Sequence, residues 1–367
     1  MTNLPSHHTA IVGSEDGSLK VAEQVPLPRL ENDMILVRNT AVALNPIDGK
    51  MVGNLASVGA VAGMDYVGTV VGIGPKVKTA SEIQLGDRVC GAVQGMHSLT
   101  PSVGAFAQFV GATDIVTLKV PPSMTVEDAA TLGSGVGTIG LALFRSLDVP
   151  GYPEAPATER IPVLVYGGST ATGTLAIQLL KLSGLIPITT CSPHNFDLVK
   201  SFGAEAVFDY RRPETPDEIR KFTRNSLKYV LDCISEPETM QFCYKCIGRA
   251  GGKYTALEPF PQFLHTRPTV QPDWVLGPTL LGKPIGWGPP FEREGDPDVR
   301  EFAIKWFATA QRLLDQGKLM THPVKLMEGG FEGILSGLEM LRKRQVSGQK
   351  LVYMIPQVTY QVIYNLK

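Results

Sequence analysis

The first third of the chain alternates short apolar runs with glycine and proline, as in MILVRNTAVALNP, YVGTVVGIG, GDRVCGAV and GAFAQFVGA. Many short strands separated by turn residues are typical of a small β-barrel or sandwich. At Thr125 the pattern changes, because TVEDAATLGSGVGTIGLALFRSL opens with a Thr-x-x-Asp capping signal and continues with apolar residues. We predict a helix that begins at this threonine.

Beyond a proline-rich connector at residues 148–162, the pattern alternates strand and helix. VLVYGG precedes TGTLAIQLLKLSG, IPITTCSP precedes HNFDLVKSFGA, and AVFDY, YVLDCI and GKYTALEP continue the series with helical stretches between them. This alternation predicts a parallel, doubly wound sheet and an α/β fold. Residues 265–298 are rich in proline and show no clear period. Residues 300–355 predict two helices and a last strand, and residues 356–367 an extra edge strand or a loose tail.

Length and charge narrow the class of protein. A chain of 367 residues favours two domains over one. Its 34 basic and 35 acidic side chains give a formal charge of -1, so no global field draws it to nucleic acid or to an anionic membrane. No apolar run is long enough to cross a membrane, and the first residues show no secretory pattern. We expect a cytoplasmic protein that acts on small molecules.

The cysteines do not predict a disulfide framework or a metal site. Cys90, Cys191, Cys233, Cys243 and Cys246 are odd in number and scattered in spacing. The CxxC pair at Cys243 and Cys246 lacks a second pair and nearby histidines. We interpret this pair as two turns of a helix that packs on a sheet, and we predict no metal.

The stretch VYGGSTATGTLAIQ places Gly167, Gly168 and Gly173 between an apolar strand and a helix. In a βαβ unit such glycines allow a tight turn and close backbone approach, and the helix N-terminus attracts a pyrophosphate. The spacing differs from G-x-G-x-x-G, so a structural turn is the alternative. The context favours a dinucleotide site.

The next strand favours NADPH as the dinucleotide. An NAD site usually carries an acid about 20 residues beyond the glycines. Here TTCSPHNFD has no acid before Asp197, and its neutral hydroxyl and amide groups tolerate a 2'-phosphate. A helix cap is a compatible role for Ser192. We expect a bulky residue at Gly168 to weaken NADPH binding and to leave the fold intact.

The order of a β-rich part, GMDYVGTVVGIG, a GDRV turn, the AATLGSGVGTIGLAL helix and a late nucleotide-binding unit resembles the medium-chain dehydrogenase/reductase superfamily. Within it, NPIDGK, VYGGSTATGT, CSPHNFDLVKSFGAE, FDYR, LDCI, IGRAGG and SGQKLV closely resemble the stand-alone, trans-acting enoyl reductases of fungal polyketide pathways, such as the one that serves lovastatin synthesis. The resemblance covers nearly all of residues 10–355. It implies a GroES-like catalytic domain at residues 1–127, completed by 318–367, and a Rossmann NADP-binding domain at 128–317.

The chain departs from the zinc-dependent members of that superfamily. It has Gly63, Met64 and Asp65 where they have Gly-His-Glu, and the four-cysteine lobe is missing. The implied reaction is therefore zinc-independent: hydride from NADPH attacks the β-carbon of an α,β-unsaturated polyketide thioester. Charge that develops on the thioester oxygen needs hydrogen-bond donors, and the proton donor to the α-carbon stays open.

The resemblance also implies site residues. Lys50 and Thr138 would lie close to the reacting thioester; an exposed loop lysine is the alternative for Lys50, and a helix cap for Asp48. The implied cofactor contacts fall into three groups. Those near the nicotinamide are Pro46, Ile47, Asp48, Gly49, Leu257, Glu258, Ser347 and Gly348. Those on the pyrophosphate are Ser169, Thr170, Ala171 and Thr172, and those on the adenosine side are Ser192, Pro193, His194, Asn195 and Tyr210. The implied acyl pocket consists of Thr138, Ile139, Gly140, Leu141, Ala142, Gly277, Pro278, Thr279, Leu280 and Leu281, although small residues in the first of these two stretches also suit plain helix packing.

The implied partner is the acyl carrier protein of a reducing polyketide synthase, including the hybrid type fused to a peptide synthetase. The RKR run at 342–344 is a candidate contact with an acidic carrier, although basic residues are expected at a helix end. Prolines and glycines in GPTLLGKPIGWGPP weaken the edge strand through which related quinone reductases dimerise, so we predict a monomer. The alternatives are an NADPH-dependent quinone or small-enone reductase and a nucleotide-binding accessory protein without turnover.

Overall fold

The computed structural model describes residues 4–77 and 83–357. In this part of the chain the strands, numbered in chain order, form three sheets. The first sheet is an antiparallel hairpin of β1 (His7–Gly13) and β2 (Leu19–Pro26). The second sheet is made of β3 (Met34–Ala43), β4 (Asp65–Ile73), β5 (Arg88–Ala92), β6 (Phe109–Thr113), β7 (Thr117–Lys119), β14 (Val324–Met327) and β15 (Lys350–Met354).

The second sheet joins the two ends of the chain. Its order is β14-β15-β3-β4-β5-β7, and β6 pairs with β3. β15 runs antiparallel to β3 and places Val352 opposite Ala43. Two helices pack against each other beside it, α1 (Pro46–Lys50) and α9 (Gly330–Arg342). The predicted β-rich first part is confirmed, and the last strand completes the same sheet.

The third sheet is parallel and follows the order β10-β9-β8-β11-β12-β13. The chain crosses from the central strand to one side and then to the other, which is the doubly wound arrangement with a crevice at the carboxyl ends of its strands. The predicted α/β fold is confirmed. The elements are β8 (Pro162–Tyr166), α4 (Ala171–Leu182), β9 (Ile186–Thr190), α5 (Phe196–Ser201), β10 (Ala206–Phe208), α6 (Thr215–Phe222), β11 (Tyr229–Asp232), α7 (Pro237–Cys246), β12 (Gly252–Ala256) and β13 (Val270–Trp274).

Three helices connect the β-rich part with the parallel sheet: α2 (Val126–Ala129), α3 (Gly133–Leu141) and α8 (Pro297–Asp315). Thr125 caps α2, because its side chain accepts from the Asp128 backbone N–H, as predicted. The predicted helix is interrupted after Ala129 and resumes as α3. Trp306 of α8 is fully buried and donates to the Val136 carbonyl at 2.8 Å.

Beyond the β-rich first part, β13 and β14 have no counterpart in the sequence prediction. β13 lies within the proline-rich stretch and forms the exposed edge of the parallel sheet, and its Pro272 hides the strand pattern. β14 is a short edge strand with two exposed positions. The interpretation of Cys243 and Cys246 is confirmed, because both lie buried on α7 against the sheet. Beyond residue 357, the predicted tail lies outside the described residues.

Candidate active site

The glycine turn follows the central strand β8 and leads into α4. Gly167 has a φ of 81°, a left-handed conformation that favours glycine. Thr170 caps α4, since its side chain accepts from the Gly173 backbone N–H at 2.9 Å. A Cβ on Gly168 would lie 1.9 Å from the Thr189 hydroxyl oxygen. The expectation that a bulky residue at Gly168 leaves the fold intact is therefore wrong.

The same turn presents unpaired backbone donors. The N–H groups of Gly167 and Gly168 are bonded to Thr190, and that of Thr170 to Gly167. For the N–H groups of Ser169, Ala171 and Thr172, no acceptor is found in the described part of the chain. They surround the N-terminus of a long helix, whose dipole favours negative charge. These residues fit the pyrophosphate of a dinucleotide.

The turn after β9 carries the residues predicted for the adenosine side. The Ser192 hydroxyl lies 3.5 Å from the Tyr210 hydroxyl, and both side chains are partly exposed. Asn195 donates to the Ser347 hydroxyl at 3.1 Å. The loop that carries Ser347 therefore lies beside this turn, although the resemblance placed it near the nicotinamide.

A cavity lies between the β-rich part and the parallel sheet. Thr138 of α3 lines it, together with Ile47 of α1 and Leu257 and Glu258 at the end of β12. Apolar and aromatic side chains form most of its wall. Those that the sequence did not single out include Val116, Trp274, Trp287, Phe291 and Phe307.

The two stretches predicted for the acyl pocket differ in how they meet this cavity. Gly277, Pro278, Leu280 and Leu281 line it. Thr279 instead turns its hydroxyl onto the Leu276 carbonyl. In the other stretch, residues 139–142 do not line the cavity: Ile139, Gly140 and Leu141 are buried on α3, as is Ala142 at its end, and Gly140 packs against Trp306.

Lys50 and Glu258 form an ion pair at the rim of the cavity. Their side chains are 48% and 35% exposed, so solvent reaches both. The pair joins α1 to the loop after β12. Two residues predicted for different roles are thus brought together by the fold.

Asp48 caps α1 from inside the protein. Its Oδ2 accepts from the Asn45 backbone N–H at 2.8 Å, and its buried Oδ1 has no partner among the described residues. Burial is the main cause that raises the pKa of Asp48 to about 8; nearby Asp65 also raises it, and the Asn45 hydrogen bonds and the Lys350 charge lower it in part. The helix-cap alternative is therefore supported for its side chain.

We expect Asp48→Asn to remove a pH dependence of stability. The folded protein keeps the Asp48 proton up to about pH 8, whereas the unfolded chain releases it near pH 4. The free energy of unfolding of the wild type should therefore fall as pH rises between these values, by up to about 1.4 kcal/mol per pH unit, relative to the variant. Denaturant unfolding at several pH values checks this, with Asp217→Asn at an exposed position as the control. A constant difference between Asp48→Asn and wild type would contradict it.

The motif Gly63-Met64-Asp65, which replaces Gly-His-Glu, lies at the wall of the cavity. Met64 lines the cavity, and Asp65 is fully buried behind it. Among the described residues, no group of three or more His, Cys, Asp or Glu side chains could hold a metal ion. No helix in residues 4–77 and 83–357 is long and apolar enough to span a membrane.

Two family models match the chain. Residues 31–122 match the alcohol dehydrogenase GroES-like domain, and residues 171–256 match the zinc-binding dehydrogenase family. The solved structure of the CurK enoyl reductase aligns with a TM-score of 0.74 at 17% identity over 95% of this chain and 99% of that one, which shows the shared fold. Fold and cleft define an oxidoreductase of the medium-chain dehydrogenase/reductase superfamily that uses a nicotinamide cofactor.

Curated relatives narrow the class. The trans-enoyl reductase FSL5 of Gibberella zeae is 98% identical over 358 residues, which cover 98% of this chain and all of that protein. The trans-enoyl reductase fsa3 of a Fusarium species is 50% identical over 346 residues, 94% of this chain and 98% of its own. The chain belongs to the fungal trans-enoyl reductases. The resemblance inferred from the sequence motifs is confirmed.

Proposed function

We propose that this chain reduces the α,β double bond of a polyketide thioester held by the acyl carrier protein of a partner reducing polyketide synthase. The observation that carries the proposal is the cavity beside the carboxyl end of β12, whose wall is mostly apolar and aromatic. Such a cavity suits an extended hydrocarbon chain, and few polar groups line it to fix the reacting end. Similarity to the trans-enoyl reductases FSL5 and fsa3 supports the same substrate class and a partner synthase.

We propose NADPH as the cofactor. The free N–H groups of Ser169, Ala171 and Thr172 would bind the pyrophosphate. The turn with Ser192 and Asn195 offers neutral donors to a 2'-phosphate, and Asp197 is exposed on the following helix. Bound there, NADPH supplies the hydride for the β-carbon.

The Thr138 hydroxyl is the proposed donor to the thioester oxygen. It lies on the cavity wall and has no hydrogen-bond partner among the described residues, so its proton is free for a ligand. Lys50 is the second candidate, because its ammonium group reaches the cavity rim. A preorganised donor at a developing oxyanion commonly contributes about 10²-fold or more to kcat.

We also propose a monomer. The proline- and glycine-rich segment GPTLLGKPIGWGPP, residues 277–290, folds back onto the β-rich part of the same chain. Trp287 donates to the Met96 carbonyl at 3.0 Å, and the Gly286 N–H donates to the His97 ring at 2.8 Å. These donors are used within the chain and not for a second copy. The proposed domains remain residues 1–127 with 318–367, and 128–317.

The three basic side chains at 342–344 are already paired with carboxylates, so they are less available to an acidic carrier protein than the sequence implied. Arg342 and Lys343 both pair with Glu339, at 2.8 and 3.2 Å. Arg344 pairs with Glu236, which precedes α7. Since all three cations already have partners, contact with a carrier would require them to exchange these partners, and the proposal does not depend on them.

Turnover by the purified chain tests the proposed reaction. With NADPH and an enoyl pantetheine thioester, we expect NADPH oxidation and a saturated thioester, and no turnover with a quinone. Thr138→Val keeps the shape of the side chain, and we expect it to lower kcat by about 10²-fold without weakening NADPH binding. Turnover of the quinone alone would support the quinone reductase alternative. NADPH binding with no oxidation by either acceptor would support the accessory-protein alternative.

A further inference from the structure

A buried ion pair lies behind the cavity. The Lys350 ammonium donates to Asp65 Oδ2 at 2.6 Å, and the two side chains are 4% and 0% exposed. Asp65 occupies the third position of the Gly63-Met64-Asp65 motif, and Lys350 begins β15. Neither Asp65 nor Lys350 lines the cavity, so the proposed reaction gives this pair no contact with the substrate.

The remaining hydrogen bonds of the pair tie it to its surroundings. Asp65 Oδ1 accepts from the Ser134 backbone N–H at 2.6 Å, and Oδ2 also accepts from the Asn45 side-chain amide at 2.9 Å. Lys350 donates to the Asn45 side-chain oxygen at 2.9 Å and to the Thr131 carbonyl at 3.4 Å. Asn45, Asp65 and Lys350 therefore form a closed ring of hydrogen bonds.

Each bond leads to a segment of the proposed active site. Asn45 directly precedes α1, whose Ile47 lines the cavity. Ser134 lies in the first turn of α3, one turn before Thr138. Lys350 begins β15, two residues after Gly348. The loop before it, which contains Ser347 and Gly348, lies beside the turn after β9. The pair thus connects the segments assigned to the nicotinamide, the thioester and the rest of the cofactor.

Stability alone gives a poor reason for such a pair. The desolvation of two buried charges often exceeds their attraction, so that apolar residues of similar volume are equally or more stable at such positions. Hydride transfer, in contrast, depends steeply on geometry, and a misplacement of about 1 Å can lower a rate about 10²-fold. A pair fixed by several hydrogen bonds holds distances that apolar contacts leave loose.

We propose that Asp65 and Lys350 are positioning residues, which set the placement of α1 and α3 so that the cofactor and the thioester meet at the distance required for hydride transfer. This proposal rests on the proposed function. Neither side chain touches the substrate. Their effect on the reaction passes through Asn45 and through the Ser134 backbone.

The test compares the single variants Asp65→Asn and Lys350→Met with the double variant Asp65→Asn/Lys350→Met. Each single variant leaves one buried charge without its partner and should unfold at a lower temperature. The double variant removes both charges and should regain most of the lost thermal stability. Its kcat for the enoyl pantetheine thioester should remain at least about tenfold below wild type, with NADPH affinity changed by less than about threefold. The deuterium isotope effect on kcat, measured with NADPH deuterated at the transferred position, should rise as hydride transfer becomes slower.

The exposed pair Arg312 and Glu154 provides the matched control, and Glu154→Gln/Arg312→Met should change neither kcat nor the isotope effect. If kcat of the double variant at Asp65 and Lys350 recovers together with its stability, the pair is structural only and the proposal fails. Failure of the wild type to reduce the thioester would instead reject the proposed function. The same variants would then be measured with whichever quinone or enone the wild type reduces.

Discussion

Gly168→Val should weaken NADPH binding by at least about tenfold and also lower the stability of the fold. A Cβ at this position lies 1.9 Å from the hydroxyl oxygen of Thr189 and 2.9 Å from its Cβ. Thr189 is fully buried on β9 and donates to the Val165 carbonyl of β8 at 2.6 Å. Since neither strand can move freely, the added side chain must displace the turn that presents the free N–H groups.

Overpacking of this kind typically costs about 1 to 3 kcal/mol. Thermal unfolding measures that loss, and a fluorescence titration measures NADPH affinity in the protein that remains folded. Gly288→Val is the matched control, because a Cβ there meets no atom within 4 Å and the backbone is not left-handed. An unchanged NADPH affinity in Gly168→Val would exclude the turn from the cofactor site.

Ser192→Asp should convert the proposed preference for NADPH into one for NADH or abolish it. Ser192 lies in the turn after β9, two residues beyond the end of the strand, where a doubly wound sheet binds the adenosine ribose. A carboxylate there would repel the 2'-phosphate. Two like charges about 4 Å apart repel by up to about 4 kcal/mol near a protein surface, so a loss of tenfold or more in NADPH affinity is expected.

Dissociation constants for NADPH and NADH, measured in the same titration, give the ratio that decides this prediction. Ser192→Ala serves as the control, because it removes the hydroxyl without adding charge and should change the ratio by much less. Equal losses for the two cofactors would show that the residue affects the fold of the turn and not the recognition of the phosphate.

Elements with a strong local pattern were predictable from the sequence. The strands β8, β9, β10, β11 and β12 carry apolar runs bounded by turn residues and alternate with helical stretches, and the structure confirms them. β13 and β14 were missed, since a proline interrupts one and exposed positions weaken the other. The helix predicted from Thr125 ends early because residues 130–132 form a turn before α3.

The proposed cofactor site was easier to predict than the cavity. The glycine turn and the turn with Ser192 each consist of neighbouring residues, so a short motif reveals them. The cavity draws its wall from distant parts of the chain, from Ile47 to Phe307, and no local pattern marks Trp287 or Phe291 as its members. Residues 139–142 show the opposite case, because a stretch predicted to form a substrate surface is buried, and its Gly140 packs against Trp306.

By itself the sequence determined the alternating strands and helices from β8 to β12, the glycine turn, the acid-free turn that follows and the family, because each is encoded in contiguous residues with known conformational preferences. Only the tertiary structure decided which charges meet. Lys50 reaches Glu258 across 208 residues, and Lys350 reaches Asp65 across 285. A lysine in the sequence looks the same whether solvent or a buried carboxylate surrounds it, and the packing of two sheets determines which of these applies.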